Sequence, residues 1–194
     1  MLDFTNENVF IVSDTHFNHN KLVKSCPNHF EQHRLYDTTT EMDEDVIRMW
    51  NKTISNNDVV IFLGDFMLCV PGDNKYQSVF HSYFDKLNKG KKFFWIKGNH
   101  DQKLSERIPD IEMLDNIQFK KGNRIYYAQH YDFIEVNNVM PKVIDQNTVF
   151  VHGHTHSDTR VSRFDYHGKS YVQNCVCWDA WYRPVNVKEL ENCE

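Results

Sequence analysis

Short apolar runs alternate along the chain with polar segments of helical pattern. Val9–Val12 predicts a strand that stops at Ser13-Asp14. From Met42 to Ile54 the residues Met42, Val46, Met49 and Trp50 recur at helical spacing and define one apolar face. Thr40, with Asp43 three positions later, predicts a weak capping box at the start of that helix. Val59–Leu63 is apolar at every position, the pattern of a strand buried on both faces, and it stops at Gly64-Asp65. A second helix is predicted from Lys75 to Asn88, with Val79, Phe80, Phe84 and Leu87 on one side and Lys89-Gly90 as the stop. Further strands are predicted at Phe93–Ile96, Ile125–Ala128, Val149–Val151, Ser170–Val176 and Val185–Val187.

The residues that terminate the strands are more informative than the strands themselves. Five of the apolar runs end in Asp, Asn or His, often beside a glycine: Asp14-Thr15-His16, Gly64-Asp65, Gly98-Asn99-His100-Asp101, His130, and Gly153-His154-Thr155-His156. In α/β sheets the carboxyl ends of strands gather at one edge, where ligands bind. At a strand end, residues i and i+2 point to the same side, so Asp14 with His16, and His154 with His156, can reach one ion cluster. The glycines allow sharp turns and close backbone approach. Carboxylates, one amide oxygen and several imidazoles make a mixed N/O donor set that suits Mn, Fe, Zn or Ni.

Composition bounds this reading. The 194 residues, 40% hydrophobic and 14% aromatic, predict a single folded domain over residues 1–194 and exclude disorder. The longest apolar stretch, Val59 to Val70, is broken by Gly64-Asp65 and falls short of the ~20 residues of a membrane span. The opening MLDFTNENVF has neither the basic nor the apolar region of a signal peptide. Five scattered cysteines fit reduced thiols, and together these features predict a cytoplasmic protein with no membrane partner. A net charge of −5, with no basic block, argues against long duplex nucleic acid as a partner. The outlier is histidine, at eleven residues.

The ordered set D-x-H, G-D, G-N-H-D, a lone H and G-H-x-H resembles the calcineurin-like metallophosphoesterase superfamily. The opening from Val12 to His19 and the closing Trp178-Asp179-Ala180-Trp181-Tyr182-Arg183-Pro184-Val185 are similar to its small stand-alone bacterial and phage members. The resemblance implies a four-layer α/β/β/α sandwich with two divalent metal ions at the strand ends. It further implies that Asp14, His16 and His156 hold one ion, that Asn99, His130 and His154 hold the other, and that Asp65 bridges them. By the same resemblance His100 is the catalytic histidine and Asp101 its orienting partner.

Two divalent ions, the carboxylates of Asp14 and Asp65 and one hydroxide leave about one positive charge, enough to attract a phosphate. Such a pair clamps an in-line displacement at phosphorus and supplies hydroxide near neutral pH. The expected activity is hydrolysis of a small phosphorylated substrate, with phosphodiesters or cyclic nucleotides favoured over monoesters and Mn as the favoured metal. Two alternatives are a non-catalytic scaffold on the same fold and a nuclease for short single strands. The segments Lys21–Thr39 and Gln102–Arg124 would wall the cleft.

Other residues carry weaker signals. His19 either touches the substrate phosphate or caps a helix starting near Asn20; Arg34 either reaches that phosphate or forms a surface salt bridge. Cys26, His29 and His33 have zinc-like spacing without a fourth ligand, which favours a polar surface. Cys175-x-Cys177 lies in a strand pattern where buried thiols are common, and His152 faces away from the metal side by strand alternation. The Trp178, Trp181 and Tyr182 cluster reads as core or edge packing.

Overall fold

The computed structural model describes residues 1–24, 34–68, 75–134, 140, 144 and 147–190. It contains two β-sheets. The first joins β2 (Val9–Val12), β3 (Val59–Phe62), β4 (Lys92–Ile96) and β5 (Met113–Leu114) in parallel, with β11 (Val185–Asn186) antiparallel to β2 at the edge. The second runs β1 (Leu2–Asp3), β6 (Asn116–Lys121), β7 (Arg124–Gln129), β8 (Thr148–His152), β10 (Lys169–Cys175) and β9 (Val161–Tyr166) in that spatial order. Helix α1 (Thr39–Thr53) connects β2 to β3 and α2 (Tyr76–Phe84) connects β3 to β4, the right length for parallel crossovers. Two shorter α-helices also lie among the described residues, α3 (Gln102–Arg107) and α4 (Trp178–Trp181).

Strand alternation decides what each sheet buries. In β3, Val59 and Ile61 enter a core with Ile117, Phe119, Val149 and Val151 of the second sheet, so this cluster fills the space between the sheets. Val60 and Phe62 point the other way, toward Met42, Val46 and Trp50 of α1 and Phe80 of α2. That double burial is why the run has no polar position. The outer face of the second sheet carries Tyr127, Phe150 and Phe164, packed with Phe133.

The predicted strands all form, most with ends shifted by a residue. The helix cap falls elsewhere: Thr38, not Thr40, accepts from the Glu41 backbone N–H at 3.1 Å, and the Glu41 carboxylate accepts in return from Asp37 N. The second helix stops at Phe84 rather than Asn88. Asn88 is instead held by α1, its carbonyl accepting from Trp50 Nε1 at 2.8 Å and its N–H donating to Asn51 Oδ1 at 2.7 Å. Strands β1, β5, β6 and β9 and helices α3 and α4 had no predicted counterpart.

Trp50 is fully buried and its ring lies within 6.4 Å of Phe62 and Phe93, joining α1 to the first sheet. Replacing it by alanine removes that contact and the bond to Asn88. Trp50→Ala should cost about 3–5 kcal/mol of unfolding free energy, read by denaturant titration of the metal-free protein.

Candidate metal centre

The five polar strand ends meet, three from the first sheet and two from the second. After β2 the chain turns through Asp14 and His16, both in the left-handed region at φ 59° and 48°. Asp65, His154 and His156 share that conformation at 58°, 68° and 50°. Left-handed backbone is uncommon outside glycine and costs of order 1–3 kcal/mol per residue. It bends each chain end so that the side chains converge.

Two glycines make the convergence possible. A Cβ on Gly98 would stand 2.2 Å from Asp65 Oδ1 and 2.5 Å from Asp65 N. One on Gly153 would stand 2.0 Å from Ser13 Oγ and 2.6 Å from Asp14 Oδ2. Neither side chain has room.

Asp14, His16 and His156 form one donor group, and Asp65, His130 and His154 a second, each with its donor atoms within 4.8 Å of one another. His16 Nε2 and His156 Nε2 face each other at 2.9 Å, and Asp14 Oδ1 lies 3.6 and 3.7 Å from them. Asn99 Oδ1 completes the second group, 2.8 Å from His130 Nε2 and 2.9 Å from His154 Nδ1. Asp65 Oδ2 lies between the groups, 3.5 Å from His16 Nε2 and 3.6 Å from His130 Nε2.

The donor set fits divalent cations on its own chemistry. Asp14 Oδ2 accepts from Ser13 Oγ, from His154 N at 2.9 Å and from Cys177 Sγ at 3.2 Å. Its other oxygen, Oδ1, is buried with no hydrogen-bond partner and faces the imidazoles. An orphaned carboxylate oxygen opposed by imidazole nitrogens lacks a positive charge between them. Burial holds His16 neutral, its pKa pushed down to about 3, which leaves it competent as a ligand. Burial, with the Asp14 charge nearby, pushes Asp65 up to about 7.

Two assignments change in the fold. Asp101 does not orient His100: it is buried, and its carboxylate accepts from Asp65 N, Phe66 N, Gly98 N and Trp95 Nε1 at 2.9–3.1 Å. It therefore fixes the turns that carry Asp65 and Asn99. His100 lies nearest Asp65, Nε2 to Oδ2 being 3.9 Å, with its side chain 40% exposed at the mouth of the site. Its pKa is lowered, by burial first of all. Arg34 reaches neither solvent nor a substrate position. It is 1% exposed, grips Asp179 through Nε and Nη2 at 3.0 and 3.1 Å, and donates to the carbonyls of Thr15 and Asp14.

His19 heads a short 3-10 turn, Asn20–Leu22, but its side chain makes no capping bond; its ring lies 5.3 Å from that of His16, at the edge of the site. Cys26, His29 and His33, and with them part of the expected cleft wall, lie outside the described residues. Cys175 and Cys177 are free and buried, and His152 is buried with Nδ1 2.8 Å from Gly153 O. Trp178 is core, while Trp181 lies under the Arg160 guanidinium at 4.1 Å.

The sequence reading missed Asp179. Its Oδ2 lies 3.1 Å from His156 Nδ1. Burial alone would raise the pKa of this carboxyl, but the Arg34 guanidinium and His156 together outweigh burial and hold it well below the usual carboxylate range. Ser13 and Cys177, both on Asp14, were also missed; only their place beside a motif aspartate or in a strand pattern could have marked them.

A model of the calcineurin-like phosphoesterase family matches residues 8–191, and the chain belongs to that family. It is similar, at 34% identity over 104 residues, to an uncharacterized protein of Methanocaldococcus jannaschii; the match covers 54% of this chain and 52% of the relative, so the chain spans about half the length of that curated protein. Among solved structures, a protein of unknown function from Aquifex aeolicus aligns with TM-score 0.57 and 16% identity over 95% of this chain and 97% of its own, which shows the shared fold. The E. coli phosphoesterase YfcE aligns with TM-score 0.45 and 15% identity over 88% and 78% of the two chains. Among the described residues no helix is long and apolar enough to cross a membrane.

The site's titration predicts an acid limb in the metal-free protein. Asp14 and Asp179 stay ionised when folded at pH values where the unfolded chain protonates them, near ~3.9. His16 stays neutral down to about 3. The folded state therefore binds fewer protons than the unfolded chain, and its stability is lost as pH falls. At higher pH, His16 and His19 (the latter lowered to about 4) act against Asp43 and Asp65, raised to about 6 and about 7, and these contributions oppose one another. Thermal midpoints measured in chelator should fall steeply only below about pH 4.

Proposed function

We propose that this chain is a dinuclear-metal phosphoesterase that hydrolyses phosphodiesters, cyclic nucleotides included, in preference to monoesters. The observation that carries it is Asp65 Oδ2, set between His16 Nε2 and His130 Nε2 so that one carboxylate serves both donor groups. Asp14, His16, His156 and Asp65 would hold one ion, and Asp65, Asn99, His130 and His154 the other. When bound, the pair supplies Lewis-acid polarisation of the phosphoryl oxygens and an activated water. The N/O donors accept Mn, Fe, Zn or Ni, and Mn is our choice for reconstitution.

The residues around that pair divide the remaining work. His100 stands at the mouth on a turn fixed by its own N–H, which donates to Asp65 Oδ1 at 2.8 Å. From there its ring reaches outward to the leaving-group side of a phosphate held between the two donor groups. A bound phosphate anion raises the pKa of a neighbouring imidazole, so His100 gains its proton with the substrate and passes it to the departing oxygen. Selectivity for a diester follows from charge. Arg34, the guanidinium that could have matched a dianion, is turned inward onto Asp179. A centre of about one positive charge suits the monoanionic diester. The free, buried thiols of Cys175 and Cys177 fit the cytoplasm we propose as its compartment.

Two measurements check this reading. Mn-loaded protein should carry close to two ions per chain and cleave bis-p-nitrophenyl phosphate or a cyclic nucleotide faster than p-nitrophenyl phosphate; a large advantage for the monoester would overturn the preference. His100→Ala should keep both ions and lose about 10²–10⁴ in rate on an alkyl ester, with a smaller loss on a nitrophenyl ester that departs without help. Loss of an ion in that variant would make His100 a ligand instead.

A further inference from the structure

The two donor groups differ in what stands behind their imidazoles. In the second group, His130 Nδ1 faces a main-chain carbonyl, Leu63 O, at 2.7 Å. In the first, His16 Nδ1 is buried with no hydrogen-bond partner, while His156 Nδ1 faces a carboxylate, Asp179 Oδ2, at 3.1 Å. Asp179 is itself held from behind by the two-pronged grip of Arg34. The remaining Arg34 donors go to Thr15 O, at 2.8 Å, and to Asp14 O. One buried guanidinium thus touches the main chain of the turn that carries Asp14 and His16, and also the carboxylate that holds His156. All three ligands of the first group depend on it.

We propose that Arg34 and Asp179 are positioning residues that preform the Asp14–His16–His156 site and make it the first, and the tighter, of the two sites to take a divalent cation. The proposal rests on the reading that both donor groups hold metal. Each part has a physical cause. A proton on His156 Nδ1, directed at Asp179, leaves the Nε2 lone pair toward Asp14 and His16, the tautomer a ligand requires. A full carboxylate behind the ring raises its basicity more than a carbonyl does, and such partners govern metal affinity by about 10–100-fold. Arg34 faces that carboxylate with a matched charge and fixes its direction through two bonds, from Nε and Nη2. Its bonds to Asp14 O and Thr15 O hold a left-handed turn that would otherwise relax, so the donor atoms are in place before an ion arrives. The second group has one ligand, Asn99, on a residue exposed to solvent, and a weaker partner behind His130.

The test is stepwise Mn²⁺ titration of the metal-free full chain, monitored by calorimetry and by the paramagnetic signal that separates isolated from paired Mn²⁺. The wild type should show two events, with isolated Mn²⁺ accumulating at one equivalent. Asp179→Asn should weaken the tighter event by about 10–100-fold and leave the weaker one within about threefold. Arg34→Lys, which keeps the charge but cannot grip both partners, should act in the same direction. An Asp179→Asn protein that stays folded by circular dichroism and binds as the wild type does, or that loses both events equally, overturns the proposal. Should Asp179→Asn fail to fold, nitrogen NMR of the wild-type imidazoles decides. At a pH where the His156 ring is neutral, a proton on Nδ1 before metal is added supports the proposal, and a proton on Nε2 overturns it. Wild-type protein that takes up no Mn²⁺ at all ends both this inference and the reading it rests on. Ordered uptake without hydrolysis of any phosphoester upholds this inference and ends only the other.

Discussion

A carboxylate taken out of water needs a donor or a cation at each oxygen, and three buried aspartates meet that requirement differently. Asp101 meets it completely, with four N–H donors from two stretches of chain, 65–66 and 95–98. Asp14 meets it at one oxygen and Asp65 accepts a main-chain bond at one, while the other oxygen of each is turned to the imidazoles. The fully satisfied residue is scaffolding, and the half-satisfied ones define the site. Desolvating an ionised group without compensation costs several kcal/mol, so such oxygens persist only where something else binds them. The tight glycines and the strained turns of this end of the molecule set those two oxygens 3.6 and 3.5 Å from His16 Nε2.

The strain is localised where the fold can bear it. Five candidate ligands share left-handed backbone, and each lies just beyond a strand whose side chains are buried on both faces. The core between the sheets and the aromatic core under α1 and α2 hold those strands rigidly. Ligand turns on such a support lose little entropy on binding, which is the usual condition for a site that holds its geometry.

Central strands were legible in the sequence because double burial leaves them without polar positions, as in Val59–Phe62. Peripheral strands were not: Asn116–Lys121 and Val161–Tyr166 carry charged and amide side chains on their open faces, and their pattern alone does not separate them from loops. The donor residues could be read because each sits at a fixed offset from an apolar run. Their supporters could not. Arg34 and Asp179 are 145 residues apart, and nothing local marks either as buried or paired. Asp101 was misread for a different reason: the family resemblance paired it with its neighbour His100, whereas in the fold its carboxylate turns to Asp65 N, Phe66 N, Gly98 N and Trp95 Nε1. Proximity along the chain predicts shared location well and shared contacts poorly.

The donors are also divided between the sheets. Asp14, His16, Asp65 and Asn99 lie after strands of the first, while His130, His154 and His156 lie after strands of the second, and each donor group draws on both. The relative setting of the sheets is therefore a dimension of the site. Ile61 and Val149 lie in the close-packed core between the sheets, so a lost methyl group there is felt in how the two sheets sit against each other. Variation in this core is consequently restricted twice, once by folding and once by the spacing of the candidate donor groups that both sheets supply.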